Sequence, residues 1–287
     1  MTGRGNWRAG YETISNYRMY YREWCPADGG TTLPMIALHG SLSQSGMWVG
    51  SPESIGRVRA VCPDQRGYGL SEDPGWGDAS MDFAHDAIRL ADALFIDRFT
   101  IMGHSFASAI ALQVAAMEPE RVAGVVLVDP TVRSRKGAKS NFDQMQDRPE
   151  WFENHKKAQQ FWMETEEGVW PAKTLSRFVS SVMVSTDEGA PCRMPFEKDR
   201  LLRLRAFQAS GASDYLPVSL AKKVKSPTLI FRGGASRRFS EESQKRLVAA
   251  FPKKPKVVVC PKSGHFPSVQ EPGLFERSLW EFLQKAK

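Results

Sequence analysis

At 287 residues, 41% hydrophobic and 25% charged, the chain has the make-up of an ordinary globular protein, long enough for one large α/β core with an insert. Its four cysteines (Cys25, Cys62, Cys192 and Cys260) are scattered, which excludes a paired-ligand metal site and a disulfide scaffold. A net charge of +7, most tightly grouped at 133–136 and 200–205, comes without any nucleic-acid-binding motif and supports only a mild pull on anionic substrates.

The first ten residues carry charge but lead into no apolar run, so no secretory leader is expected. No stretch reaches the ~20 apolar residues that span a bilayer. Cytoplasmic residence, with neither membrane nor nucleic acid as partner, is the expectation. Short apolar runs alternate with helical patterns, as in a parallel sheet covered on both faces. Residues 17–24, rich in tyrosine, read as a hairpin strand, and 35–38 as a buried strand ending at His39-Gly40. The next strand, 58–62, runs into Pro63-Asp64. Over 81–95, Phe83, Ala87, Leu90 and Leu94 recur at helical spacing. A strand over 99–102 precedes an alanine-rich helix over 105–117. Residues 122–128 (VAGVVLV) form a near-continuous apolar run, as in a strand buried on both faces. Strands return at 228–231 and 257–260, and a helix over 274–283 closes the chain. The intervening 132–217 has helical patterns and many aromatics but no buried strand. It is predicted to be a helical cap inserted into a core built from 1–131 and 218–287.

Gly103-His104-Ser105-Phe106-Ala107 joins a strand to a helix. A nucleophile at its centre needs small residues two positions either side, because strand and helix backbones nearly touch there. Gly103 and Ala107 meet that rule. The turn also sets Ser105 at a helix N-terminus, where amides and the helix dipole favour developing negative charge. Ser263-Gly264-His265-Phe266-Pro267 follows the last strand, and His265 alone among the five histidines stands at a late strand end, where a general base can reach the serine. The loop at His39-Gly40-Ser41 is placed to lend the Ser41 amide to an oxyanion hole, with the Phe106 amide as the second donor. The glycine-rich 64–71 has no phosphate-binding pattern; its glycines shape a turn, with Asp64 and Arg66 as structural hydrogen-bonders.

In this order and spacing, His39-Gly40, 64–71, 103–107 and 263–267 resemble the α/β-hydrolase superfamily across essentially the whole chain outside the insert. The resemblance implies an eight-stranded, mostly parallel sheet with helices on both faces, a lid after strand six, and acyl chemistry without metal or cofactor. Superfamily members include carboxylesterases, lactonases, carbon–carbon bond hydrolases, haloalkane dehalogenases and epoxide hydrolases. The last two attack with aspartate where this chain has Ser105. A departure lies at the triad acid: most members carry an aspartate about three residues past the glycine ending strand seven, and here that position is Ser236. A second arrangement in the superfamily puts the acid at the end of strand six, where Asp129 stands. Glu241 and Glu242 read as first-turn helix residues.

The expected activity is hydrolysis of an ester or lactone through an acyl-enzyme, with Ser105 as nucleophile, His265 as base and Asp129 as its orienter. His104, Trp151, Trp162 and Trp170 are candidate pocket residues for an apolar or ring-bearing small molecule, although each aromatic fits the cap's own core equally well. The same residues also suit carbon–carbon bond cleavage, and the scaffold suits a non-catalytic ligand receptor. Homo-oligomerisation is left open.

Overall fold

Strands form where the chain is apolar without interruption, because only a buried sheet satisfies both their side chains and their backbone. The computed structural model describes residues 5–132, 148–165, 168–185, 190–210, 212–215 and 217–286. Its main sheet has eight strands: β1 (Gly5–Ile14), β2 (Tyr17–Pro26), β3 (Met35–Leu38), β4 (Ala60–Pro63), β5 (Phe99–His104), β6 (Val122–Val128), and β9 (Thr228–Gly233) and β10 (Lys256–Cys260), numbered after a small two-stranded sheet described below. The order across the sheet is β1-β2-β4-β3-β5-β6-β9-β10. β1 and β2 form an antiparallel hairpin, β2 pairs antiparallel with β4, and the remaining pairs are parallel. β3, β4, β5 and β6 are buried at every position.

Helices α1 (Gly50–Ile55), α2 (Ser80–Ala93) and α3 (Ala107–Met117) fall within the first half of the core. Helix α2 turns Phe83, Ala87 and Leu90 inward, as its spacing predicts. A buried ion pair locks this half together. Arg66 meets Asp86 of α2 at 2.6 Å, and Ser15 and Tyr17 of the β1–β2 hairpin donate to the same carboxylate at 2.8 Å. Burial and the adjacent carboxylate push the Tyr17 phenol far above its ordinary range.

Between β6 and β9 lie α4 (His155–Thr165), α5 (Ala172–Val182), α6 (Lys198–Ala209), the short α7 (Pro217–Ala221), and the two-residue strands β7 (Trp151–Phe152) and β8 (Cys192–Arg193). Backbone and side-chain hydrogen bonds tie this segment to the loops at the carboxyl ends of three strands. Gln44 after β3 donates to the Val182 carbonyl at 2.7 Å, Gly69 after β4 to Pro195 at 2.6 Å, and Val169 to Lys262 after β10 at 2.9 Å. The segment therefore lies along the sheet edge where the strands end. The chain closes with α8 (Glu241–Val248), α9 (Pro267–Gln270) and α10 (Pro272–Leu283).

Candidate active site

Ser105 sits between β5 and α3 with φ 57°, a left-handed conformation that lifts its side chain out of both elements. The size rule at this turn has a concrete cause: a β-carbon on Gly103 would overlap the carbonyl oxygen of Ala107. The helix begins only at Ala107, two residues later than its alanine-rich pattern suggests, because the left-handed serine cannot be helical.

His265, in the loop after β10, comes back over the sheet edge. Its Nε2 lies 3.0 Å from Ser105 Oγ, and its Nδ1 donates to Asp129 Oδ2 at 2.7 Å. Asp129, directly after β6 with φ 44°, is fully buried. The same carboxylate accepts the Gly233 amide at 2.9 Å and the Ser236 hydroxyl at 2.6 Å. Ser236, the residue standing where most of the superfamily has its acid, thus donates to an acid that comes from the neighbouring strand. Glu241 instead pairs with Lys245 on exposed α8. A chain of hydrogen bonds from Ser105 through His265 to Asp129 can take a proton from the serine and hold the resulting imidazolium. Thr131, which no sequence pattern singles out, adds its Oγ1 at 3.1 Å from Ser105 Oγ.

Ser105, His265, Ser41, Leu42, His104 and Arg238 are among the residues lining a narrow cleft of about 10 Å³. Among the described residues, no backbone carbonyl takes the amide of Ser41 or Phe106, the two expected oxyanion donors. The Phe106 ring packs away from the cleft on Tyr68 and Phe83. Burial is the largest influence on His265 and holds its imidazolium well below the usual 6.5; the positive fields of Arg238, Arg205 and Arg148 act in the same sense. The ring is therefore neutral at rest, and the Asp129 carboxylate at Nδ1 is placed to favour its charged form. His104 is buried beside His265 with ring centroids 4.6 Å apart, and its Nε2 donates to the His265 carbonyl at 2.7 Å. Burial lowers its pKa to about 3. It props the loop that carries His265 while also touching the cleft.

The aromatic candidates fall elsewhere. Trp151 is 63% exposed on the small β7–β8 sheet and is not among the residues lining the cleft. Trp162 is fully buried and Trp170 half-buried; both pack on Phe178 and on Phe266, so they form a layer behind Phe266 rather than the cleft wall. They are apolar and large, and packing on Phe178 and Phe266 removes much of their surface from water.

A family model for the α/β hydrolase fold matches residues 34–272. The chain belongs to the α/β-hydrolase fold family. This hydrolase is 35% identical over 106 residues to the 2-hydroxymuconate semialdehyde hydrolase of Pseudomonas sp. (strain CF600), a match spanning 35% of this chain and 38% of that protein. It is 27% identical to the provisionally named carbamate hydrolase RutD of Variovorax paradoxus (strain S110) over 272 residues, covering 93% of this chain and 96% of that one. Its fold is shared with the crystal structure of E-2-(acetamidomethylene)succinate hydrolase, at TM-score 0.78 and 22% identity, over 96% of this chain and 99% of that one. No described helix is long and apolar enough to cross a membrane.

Proposed function

We propose that this hydrolase cleaves an ester or lactone by two-step acyl transfer. The observation that carries this reading is the continuous path from Ser105 Oγ to His265 Nε2 (3.0 Å) and from His265 Nδ1 to Asp129 (2.7 Å) at the N-terminus of α3. His265 takes the Ser105 proton as Oγ attacks the carbonyl carbon. The amides of Ser41 and Phe106 hold the oxyanion, and Asp129 stabilises the imidazolium. His265 then protonates the leaving alcohol, and water, activated by the same ring, releases the acyl group. In a lactone the alcohol stays attached and the ring opens to a hydroxy acid. The segment from 132 to 217 serves as a lid over this edge, and its ties to the loops after β3, β4 and β10 support that role.

A second reading has the same residues cleave a carbon–carbon bond beside a ketone. The similarity to 2-hydroxymuconate semialdehyde hydrolase, whose named substrate contains no ester, favours keeping it. Turnover of simple methyl esters with release of methanol distinguishes the two. A fluorophosphonate should label Ser105, and Ser105→Ala should lower kcat roughly 10⁴-fold or more without loss of folding. A variant keeping a tenth of wild-type turnover would remove Ser105 from the mechanism.

A further inference from the structure

The turn that delivers the acid also touches the nucleophile. Ser105 and Asp129 are both held in the left-handed region, at φ 57° and 44°, just past the ends of the paired strands β5 and β6. From Asp129 the chain passes through Pro130 to Thr131, which closes back on Ser105 with both its backbone and its side chain. The Thr131 amide donates to the Ser105 carbonyl at 3.2 Å, and Thr131 Oγ1 lies 3.1 Å from Ser105 Oγ. Ser105 in turn donates its own amide to the Val128 carbonyl at 2.9 Å. These bonds set the threonine hydroxyl beside the oxygen that His265 serves from its other side. Among the described residues the Thr131 hydroxyl has no other hydrogen-bond partner.

The direction of that bond follows from the histidine. Asp129 accepts the Nδ1 proton of His265, so Nε2 of the neutral ring carries a lone pair and accepts the single hydroxyl proton of Ser105. Ser105 Oγ can then only accept from Thr131. Of the two lone pairs on a hydroxyl oxygen, one faces the Thr131 hydroxyl and the other is left to attack. We infer that Thr131 is a further catalytic residue, donating its hydroxyl hydrogen to Ser105 Oγ and easing release of the acyl group from that oxygen. The inference rests on the acyl-transfer reading above. During acylation the donation acts in opposed senses, since it orients the attacking lone pair but draws electron density from it. Deacylation keeps only the gain. Water attacks the acyl carbon and gives a proton to His265 Nε2. The carbon–Oγ bond then breaks, its electron pair stays on Oγ, and His265 returns the proton there. Charge grows on Oγ as that bond breaks, and hydrogen bonds to a charged oxygen are roughly twice as strong as neutral ones. One short turn thereby serves both ends of the proton path, Asp129 at the ring and Thr131 at the serine.

The ester p-nitrophenyl acetate separates the two steps, because the burst of p-nitrophenolate in the first turnover reports acylation and the steady rate that follows reports deacylation. Thr131→Val keeps the branched shape and removes the hydroxyl. Its steady rate should fall roughly 10- to 100-fold while its burst rate stays within about threefold of wild type. The acetyl-enzyme should accumulate in intact-protein mass spectra. Thr131→Ser, which restores the hydroxyl, should recover most of the steady rate. Burst amplitude counts functional sites, so the steady rate per site is insensitive to a simple loss of folded protein. Thr131→Ala carries the same expectation should valine prevent folding. An unchanged steady rate without the hydroxyl, an equal fall in both steps, or no recovery in Thr131→Ser overturns the role of Thr131 and leaves acyl transfer by Ser105 standing. Wild-type enzyme that releases no p-nitrophenolate overturns the acyl-transfer reading, and this step with it.

Discussion

Gly233, Ser236 and His265 each donate to the one buried carboxylate of Asp129, the first two holding its position and direction and the third meeting its charge. Asp129→Asn keeps the shape, removes the charge and offers an amide where Nδ1–H must find an acceptor, so kcat should fall about 10³- to 10⁴-fold. Near-normal turnover in that variant would mean another group orients His265. Because Ser236 Oγ stands 2.6 Å from Asp129 Oδ2, Asp129→Asn combined with Ser236→Asp places a carboxylate within reach of the same ring and should recover part of the loss. Ser105 and His265 were legible in the sequence because their turns tolerate few residues, so the residues that do fit are diagnostic. Asp129 was legible as the acid standing at the other strand end that geometry permits. The handover from Ser236 to Asp129 was not, since a hydroxyl donating to a carboxylate leaves no pattern. Nor was the direction of the basic residues: 200–205 reads as one grouping, whereas Arg200 and Arg203 turn to Asp73 and Asp78 and Arg205 turns to Ser41.

At the scale of elements, what a strand or helix buries decided how well it could be read. The interior strands β3 to β6 are apolar at most positions and stand close to their predicted places. β1 is not legible because only one of its ten residues is buried, and it is a strand by virtue of pairing along its full length with β2. The aromatics of the inserted segment show the opposite limit, since composition marks them as buried without saying against what. Trp162 meets Phe161, Phe178 and Phe266 with ring centroids 5.8, 5.2 and 5.5 Å away. Trp162→Ala should therefore cost about 3–5 kcal/mol of stability through the cavity it leaves, measured by urea unfolding. Its effect on kcat/KM should be equal for small and large esters. A loss under about 1 kcal/mol with a shifted substrate preference would instead make Trp162 part of a binding pocket.

Across the whole molecule, the parts that assemble the site also make the fold sensitive to acid. His39, His104 and His265 are all buried and all held neutral. Burial lowers His39 and His104 from 6.5 to about 3, and burial with the neighbouring arginines lowers His265 well below 6.5. Each also has a bond that binds it to one place: the His39 ring accepts the Gln65 amide at 3.0 Å, and His104 holds the His265 carbonyl. When the chain unfolds, these rings regain an ordinary pKa and take up protons that the folded state refuses. The unfolded state thus binds more protons as the pH drops through 6.5, so stability falls with falling pH. At pH 5 His39 and His104 each cost about 2 kcal/mol, and His265 acts in the same direction, against the ~5–15 kcal/mol that holds a domain folded. Asp64 and the half-buried Glu276 work in the other direction, because burial raises their carboxyls and the folded state binds those protons first. Urea unfolding between pH 7 and 5, above the range where ordinary carboxylates titrate, should show the midpoint falling steeply. His39→Gln, which retains an acceptor for the Gln65 amide, should flatten that slope by one proton's worth, about 1.4 kcal/mol per pH unit. A midpoint unchanged from pH 7 to pH 5 would show that these rings take up protons within the folded protein, and that the neutral base assigned to His265 is not imposed by the fold.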